Sequence, residues 1–189
     1  MAVDAYIYFS LPDGVDATLK PIGETQDSYF STKDAFEIKE FSFDIEHAHT
    51  LGSATGGGSA GKIKFNEFTI KKTLDKASCI FFLDCVTGIH YKNAIIAVRK
   101  AGASTSSAGV PYLEYCFNTV FVTKIEWSGP GDEGPEESIT FAYGKLGVRY
   151  RAQDEKGKML AAKLQGWDQQ KNKSWTPTDG DFSGSGADA

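Results

Sequence analysis

Three stretches of this sequence alternate apolar and polar residues as strands do, but each exchanges its buried face part-way along. In the first, Ile63 and Phe65 share one face, and Phe68 and Ile70 then share the other. Side chains of a strand point alternately to its two faces, so a slip of one residue predicts a bulge or a sharp bend at residues 66–67.

The same change of face occurs at Lys39–Glu40 in the stretch 34–47, and at Gly144 in the stretch 139–150. Three strands that each bury both faces in turn do not fit a flat sheet with one buried side. They fit a small closed barrel or an orthogonal sandwich, in which strands turn a corner and serve two sheets. A chain of 189 residues is long enough for one such domain with a full core.

One segment, residues 74–87, is predicted to be a helix. Thr73 is a residue type that caps helix N-termini, and Gly88 tolerates the left-handed conformation that ends helices. The segment has a wide apolar arc that includes Phe81 and Phe82. In the plainer interpretation the helix plugs its own barrel. In the sharper one the arc is partly buried against a second subunit, which makes Phe81 and Phe82 candidates for a seam between subunits.

Most of the remaining segments are also predicted to be strands, so the chain is predicted to be mainly β. Further strands are predicted over residues 5–11, 89–100, 112–127 and 158–167, and the run 94–98 is apolar on both faces, as in a central strand. We predict a single domain over residues 1–170. Residues 171–189 are polar and rich in glycine near the end, which indicates a flexible C-terminal tail or a remnant left by cloning.

A glycine- and serine-rich segment, residues 47–61, separates two of the predicted strands. Such a composition is flexible when free. Two interpretations follow, a disordered hairpin tip and an arm that becomes ordered against a partner. The residues that would make the contacts of the arm are His49, Thr50, Leu51, Gly52, Ser53, Thr55, Gly57 and Ser59.

Charge and motifs exclude several classes of function. The net charge of −5 disfavours binding to nucleic acid or to anionic membranes. No apolar run is long enough to cross a bilayer, and the first residues lack the charged and apolar regions of a cleaved signal peptide. We therefore expect no direct membrane insertion and no cleaved export signal.

The residues that usually carry catalysis do not form a recognisable set. His47 and His49 could face one side of a strand, but no third metal ligand has convincing spacing. The three cysteines show no metal-type spacing, and we expect buried free thiols. We predict no catalytic, cofactor or metal site, and thus no enzyme.

Seven segments of the sequence form a recognisable ordered set that covers about residues 3–152. They are Ile22–Asp27, Phe36–Ile38 with Phe41–Phe43, Phe65 with Phe68, Leu74–Ser78, Val98–Gly102, Asn118–Val122 and Ser138–Lys145. In this order the segments resemble the haemolysin-coregulated protein (Hcp) family, the tube protein of the type VI secretion system, and Leu74–Ser78 is the most recognisable of them. Two departures from the family are visible: Cys79 stands where many members have proline, and the loop 103–111 is longer than in most members.

The resemblance implies a compact β-barrel of two curved, mixed or antiparallel sheets with bulged long strands and one flanking helix. It also implies hexameric rings that stack into a hollow tube, with a spike protein at the tip and a contractile sheath and baseplate around it. The lumen would carry effectors, and residues 47–61 would reach an adjacent subunit or ring.

Localisation follows from the same resemblance: assembly in the bacterial cytoplasm, then secretion to the extracellular space or a target cell without a cleaved signal. The alternatives are a tail-tube protein of a phage or of an extracellular contractile injection particle, and a monomeric binding module or toxin enzyme.

Overall fold

The computed structural model describes residues 3–50, 59–100, 110–131, 134–155 and 159–183. This part of the chain consists of strands and one α-helix, with three short 3₁₀ turns at Ala17–Leu19, Ser31–Lys33 and Asp179–Phe182. The elements are β1 (Val3–Ser10), β2 (Phe36–Glu37), β3 (Glu40–Ser42), β4 (Ile45–Thr50), β5 (Ser59–Phe65), β6 (Phe68–Thr73), α1 (Ser78–Thr87), β7 (His90–Lys100), β8 (Leu113–Gly131), β9 (Gly134–Tyr150), β10 (Lys163–Asp168) and β11 (Lys173–Trp175).

Nine strands form one sheet, and β4 and β5 form a separate hairpin. The order in the large sheet is β11-β10-β9-β8-β7-β1-β2, and β6 joins it by pairing with both β9 and β3. Strand β9 changes its outer partner along its length. Its first part pairs with β6 from Glu136 to Phe141, and its last part pairs with β10 from Lys145 to Tyr150.

The sheet bends along one line, which the sequence predicted at Gly144. In β9 the inward residue Tyr143 is followed by Leu146, so the buried face changes between them. The neighbouring strand β8 changes face at Thr119, whose φ of 53° is left-handed and uncommon for a β-branched residue. The pairing is not shifted at this line, so the bend uses an unusual backbone conformation and not an inserted residue.

The register shifts that do interrupt this ladder lie further along β8. One falls between Val122 and Lys124, and the other between Ser128 and Gly131. The change of face at residues 66–67 is confirmed as the break between β5 and β6. The predicted long strand over residues 34–47 is three short strands, because the chain passes there from one edge of the sheet to another.

That crossing brings the two edges of the curled sheet together. The backbone N–H of Ile38 donates to Ala5 in β1 at 3.0 Å, and that of Lys39 donates to Lys71 in β6 at 2.8 Å. The expected barrel is therefore a curled sheet whose edges meet at residues 38–39, and a continuous ladder does not close it. All pairings between the described strands are antiparallel.

Two apolar clusters lie on opposite faces of β1 and β7. The larger one fills the inside of the curl, and a smaller one lies on the other face around Tyr6, Tyr8 and Ile95. Phe30, from the loop before β2, and Phe182, from the last 3₁₀ turn, cover this second cluster. Both faces of β7 are thus buried, as its run of apolar residues predicted.

The helix is shorter than the sequence predicted. It begins at Ser78, because Thr73 still pairs with Glu136 as the last residue of β6 and so cannot cap a helix at residue 74. Its C-terminal end agrees with the prediction, since Gly88 has a φ of 73° and its N–H donates to the carbonyl of Asp84.

Residues 171–183, which composition assigned to a tail, lie against the sheet in the structure. Strand β11 pairs with β10, and the side chain of Trp175 lies beside Gly166 and Gly147. Beyond it, the Phe182 carbonyl accepts a hydrogen bond from the Tyr8 hydroxyl at 2.8 Å. Two aromatic side chains thus attach a polar segment that has little periodicity of its own.

We expect Phe182→Ala to lower the free energy of unfolding by about 3–5 kcal/mol, the usual cost of removing a buried phenylalanine ring. Urea denaturation of the full chain measures this. Leu160→Ala is the control, because Leu160 is 51% exposed and its truncation should cost about 0.5 kcal/mol or less. Equal losses in the two variants would contradict the docking of the C-terminal residues.

Candidate assembly surface

A buried lysine joins β6, β9 and the start of α1. The Lys72 Nζ lies 2.7 Å from Glu137 Oε1 and 2.9 Å from Asp75 Oδ1. Ser78 Oγ donates to Glu137 Oε1 at 2.6 Å, and Trp127 Nε1 donates to Glu137 Oε2 at 3.1 Å. The side chains of Lys72 and Glu137 are 2% and 0% exposed, so this ion pair is shielded from water.

The segment Leu74–Ser78 is folded so that it serves this cluster. Asp75 Oδ1 accepts the N–H of Ala77 at 2.9 Å, and the N–H of Asp75 donates to Ser78 Oγ at 3.1 Å. These local bonds form the tight turn that aspartate and serine favour before a helix. The most recognisable motif of the sequence is therefore the junction that fixes α1 to β9.

The outer face of α1 is apolar and its inner face includes an acid, opposite to the usual arrangement of a surface helix. Phe82, Leu83 and Val86 are 50%, 39% and 63% exposed, whereas Asp84 is fully buried. The Phe82 ring lies 6.0 Å from the ring of Trp127, which is 55% exposed. We call Phe82, Leu83, Val86 and Trp127 the helix patch.

The two residues predicted for the seam between subunits have different positions. Phe81 is fully buried and its ring lies 5.5 Å from that of Phe9, so it belongs to the core of its own subunit. This agrees with the plainer interpretation of the helix. Phe82 is on the surface, and the seam hypothesis now depends on it and on the rest of the helix patch.

The predicted arm lies at the end of the β4–β5 hairpin. His49 and Thr50 are in β4 and Ser59 is in β5, while residues 51–58, with Leu51, Gly52, Ser53, Thr55 and Gly57, lie outside the described residues. Among the described strands, β4 and β5 pair only with each other. The hairpin is closed at its base, where Asn66 Nδ2 donates to Asp44 Oδ2 at 2.6 Å.

A second buried charge cluster holds the C-terminal residues. Glu114, whose side chain is 2% exposed, accepts hydrogen bonds from Arg149 and Arg151. Burial raises the pKa of Glu114, and the two arginines oppose that change. Arg149 also pairs with Asp179 at 2.8 Å and its guanidinium lies 4.3 Å from the centre of the Phe182 ring.

Sequence reasoning did not find either charge cluster, although a signal for the Lys72–Glu137 pair was present. Lys72 follows Phe68 and Ile70 at intervals of two, and Glu137 precedes Ile139 and Phe141 in the same way. Both charges thus occupy inward positions of their strands. A charge at an inward position indicates a buried ion pair whenever a partner of opposite sign lies on the adjacent strand.

Histidine and cysteine side chains bind metals only when several ligands lie close together. Among the described residues, no three or more His, Cys, Asp and Glu side chains are grouped in a way that could hold a metal ion. Cys79 is exposed, Cys85 is partly buried and Cys116 is buried, so the expectation of buried thiols fails for Cys79.

No helix in the described part of the chain combines the length and apolar character needed to cross a lipid bilayer.

These features define a β protein whose apolar patch and separate hairpin are available for contacts with other chains. A family model described as "Type VI secretion system effector, Hcp" matches residues 8–150, and the chain belongs to this family.

Individual relatives agree with this assignment. Protein hcp1 of Pseudomonas aeruginosa is 29% identical over 97 residues, which are 51% of this chain and 58% of hcp1. A solved structure described as a type six secretion system protein has a TM-score of 0.78 at 25% identity and covers 92% of this chain and 100% of its own. Hcp1 from Salmonella typhimurium has a TM-score of 0.66 at 24% identity over 93% of this chain and 100% of its own, which shows the shared fold.

We expect Glu137→Ala to destabilise the subunit by about 3–5 kcal/mol, because it leaves the buried Lys72 ammonium with one fewer counter-charge. The matched control is Glu40→Ala in β3, which removes the ion-pair partner of Lys71, the residue before Lys72 in β6. The charged atoms of that pair are 2.6 Å apart, but both side chains are about half exposed. Water therefore screens the pair, and its loss should lower the free energy of unfolding much less than the loss of Glu137 does. Urea denaturation at pH 7 compares the two, and similar losses would contradict a special role for the buried cluster.

Proposed function

We propose that this protein is a structural subunit of the inner tube of the type VI secretion system. In this proposal it forms hexameric rings that stack into a hollow tube, which a contractile sheath propels and which carries effectors to a target cell. The family match over residues 8–150 is the observation that carries the proposal. The spike protein at the tip, the sheath, the baseplate and the effectors are its proposed partners.

The proposed localisation follows from the same role. The tube assembles in the bacterial cytoplasm and reaches the extracellular space or the target cell without a cleaved signal peptide. A structural subunit acts through surfaces that contact other chains, and this role needs no catalytic cleft. Such contacts can form where the isolated subunit leaves apolar area or strand edges without a ladder.

A ring of identical subunits needs two different surfaces on each subunit, because head-to-tail contacts are heterologous and close by rotation. The ends of the strand path supply two such surfaces. Strand β2 pairs only with β1 and β11 only with β10 among the described strands, so each has a side without a ladder. A strand edge without a ladder can pair with another chain and lead to aggregation, and a neighbouring subunit in a ring would occupy such an edge.

The helix patch is a third surface that a neighbour would cover. Burying one aromatic or large aliphatic side chain contributes about 1.5–3 kcal/mol. A stable interface needs about 800 Å² per partner, which is more than four partly exposed side chains provide. The patch therefore serves as the apolar centre of a larger contact, with polar contacts around it.

The hairpin supports the proposed stacking of rings. Its strands extend from a closed base at Asp44 and Asn66 to the glycine- and serine-rich residues 51–58. Neither β4 nor β5 pairs with the nine-stranded sheet in the described part of the chain. We infer that residues 47–61 become ordered against a subunit of the next ring, with His49, Thr50, Leu51, Gly52, Ser53, Thr55, Gly57 and Ser59 as the contact residues.

We expect Phe82→Asp to prevent ring formation while leaving the subunit folded, because Phe82 is half exposed and not part of the core. Size-exclusion chromatography with light scattering should give a mass near six subunits for the unchanged protein and a smaller mass for the variant. Leu160→Asp, at a side chain that is 51% exposed, is the control and should keep the large mass. A variant that unfolds, or one that still forms rings, would refute the seam at Phe82, and a monomeric unchanged protein would refute the tube.

We expect replacement of residues 51–58 by Asn-Gly to leave folded rings but to shorten or abolish tubes in electron micrographs. This dipeptide forms the tight turn that closes two-residue hairpins, so the strands β4 and β5 remain paired. The control shortens the predicted loop at residues 103–109, which also lie outside the described residues, and should leave tube length unchanged. Tubes of normal length in the hairpin variant would show that the arm does not stack rings.

A further inference from the structure

Helix α1 is held to the sheet by three inward positions, each of different chemistry. Ser78, Phe81 and Asp84 are its buried residues, and their spacing of three places them in one stripe. Ser78 binds the ion-paired Glu137, and Phe81 lies in the aromatic core. Asp84, the third anchor, is a fully buried carboxyl group near the end of the helix.

The Asp84 carboxyl has few groups to stabilise a charge. Oδ2 accepts a hydrogen bond from the Tyr91 hydroxyl of β7, and Oδ1 has no hydrogen-bond partner within the described part of the chain. No lysine, arginine or histidine of the described residues forms an ion pair with Asp84. Among the described residues, Tyr91 is the titratable group in hydrogen-bond contact with the Asp84 carboxyl. Buried carboxylates are usually paired or fully hydrogen-bonded, so this site requires an explanation.

The position of Asp84 in the helix adds a second penalty. It lies in the last turn of α1, and its own carbonyl accepts the N–H of Gly88 at 2.9 Å. The C-terminal end of a helix has partial negative charge, so an anion there is unfavourable, and α1 has no basic residue in its last turn. Burial and the helix dipole therefore both disfavour the ionised form.

We propose that Asp84 and Tyr91 form a proton-operated latch, which holds the C-terminal half of α1 against β7 more tightly when the Asp84 carboxyl is protonated. The neutral group keeps its contact with Tyr91 and does not need the counter-charge that the site lacks. The ionised group brings an uncompensated charge into the interior, and lifting the last turn of α1 would return that charge to water. The latch is a property of the subunit and does not depend on tube assembly.

The direction of the pH dependence follows from linkage. Burial raises the pKa of Asp84 in the folded state, and the hydrogen bond from Tyr91 opposes that change. A folded-state pKa above that of the unfolded chain, which is about 3.9 for aspartate, means that the folded state binds the proton more strongly. The stabilisation is therefore complete below the unfolded pKa and is lost as pH rises through the folded-state pKa.

Amide hydrogen exchange on the full chain, corrected for the intrinsic effect of pH, tests the latch. Protection of the last turn of α1 should fall as pH rises from 4 to 8, by about tenfold for each unit by which the pKa is raised. In Asp84→Asn, a neutral side chain of the same shape, protection should stay constant. Asp16→Asn is the control, because Asp16 is exposed and caps a 3₁₀ turn away from α1, and it should behave as the unchanged protein does.

A direct titration keeps the test valid if Asp84→Asn does not fold. The carboxyl carbon of Asp84 in the unchanged protein, followed by NMR after isotopic labelling, should titrate above about 3.9. A midpoint at or below that value would overturn the proposal. A pH response that is the same in the unchanged protein and in folded Asp84→Asn would also overturn it.

Discussion

The bend that crosses β8 and β9 is the constraint on which the rest of the structure depends. At this line the sheet reverses which side chains face inward, with Thr119 in a left-handed conformation opposite Gly144. A Cβ added at Gly144 would lie 3.3 Å from Gln170 Nε2 and 3.4 Å from the Cβ of Thr119, so the two strands are closely packed at the bend. Because the two strands turn together without losing register, one sheet can curl around its own core. The helix, the second cluster and the hairpin all take their positions from that curl.

Buried charge fixes the remaining elements to the bent sheet. The Lys72 cluster attaches the start of α1 to β9, and the Glu114 cluster attaches the last 3₁₀ turn to β8 and β9. The pairs Lys72–Glu137 and Arg149–Glu114 are almost wholly excluded from solvent, whereas Asp179 is exposed. The loss of one partner of a buried pair is costly even though the net contribution of the pair is small. These clusters therefore define where the segments dock more than they stabilise the fold as a whole.

The sequence predicted the features that depend on periodicity. The bends at residues 66–67 and 144, the central strand β7 and the left-handed Gly88 all follow from alternation or from the conformational freedom of glycine. It did not predict the helix start, because Thr73 caps helices in general and here remains paired with Glu136. The pairing of β6 with β9 therefore determines where the helix begins, and the capping preference of threonine does not.

The candidate surface was predicted only in part, because tertiary packing decides which side chains of α1 are exposed. The wide apolar arc of α1 identified both Phe81 and Phe82, but only the packing of Phe81 against Phe9 separates the core residue from the surface residue. The arc also hid the inward position of Asp84, because an aspartate in a helix is usually solvated. The docking of Phe182 depends on a cluster formed by residues that are distant in sequence, among them Tyr8 and Phe30, and no local pattern indicates it.

The two apolar clusters on opposite faces of β1 and β7 have a consequence for the topography of the subunit. Because Tyr6–Ser10 of β1 and Asn93–Val98 of β7 are buried within the chain, this part of the sheet has no free face in the described structure. Exposed apolar side chains lie away from it, among them Phe82 and Val86 on the outer side of α1, Trp127 towards the end of β8 and Tyr150 at the end of β9. We therefore expect contacts with other molecules at the margins of the sheet and not at the middle of β1 and β7.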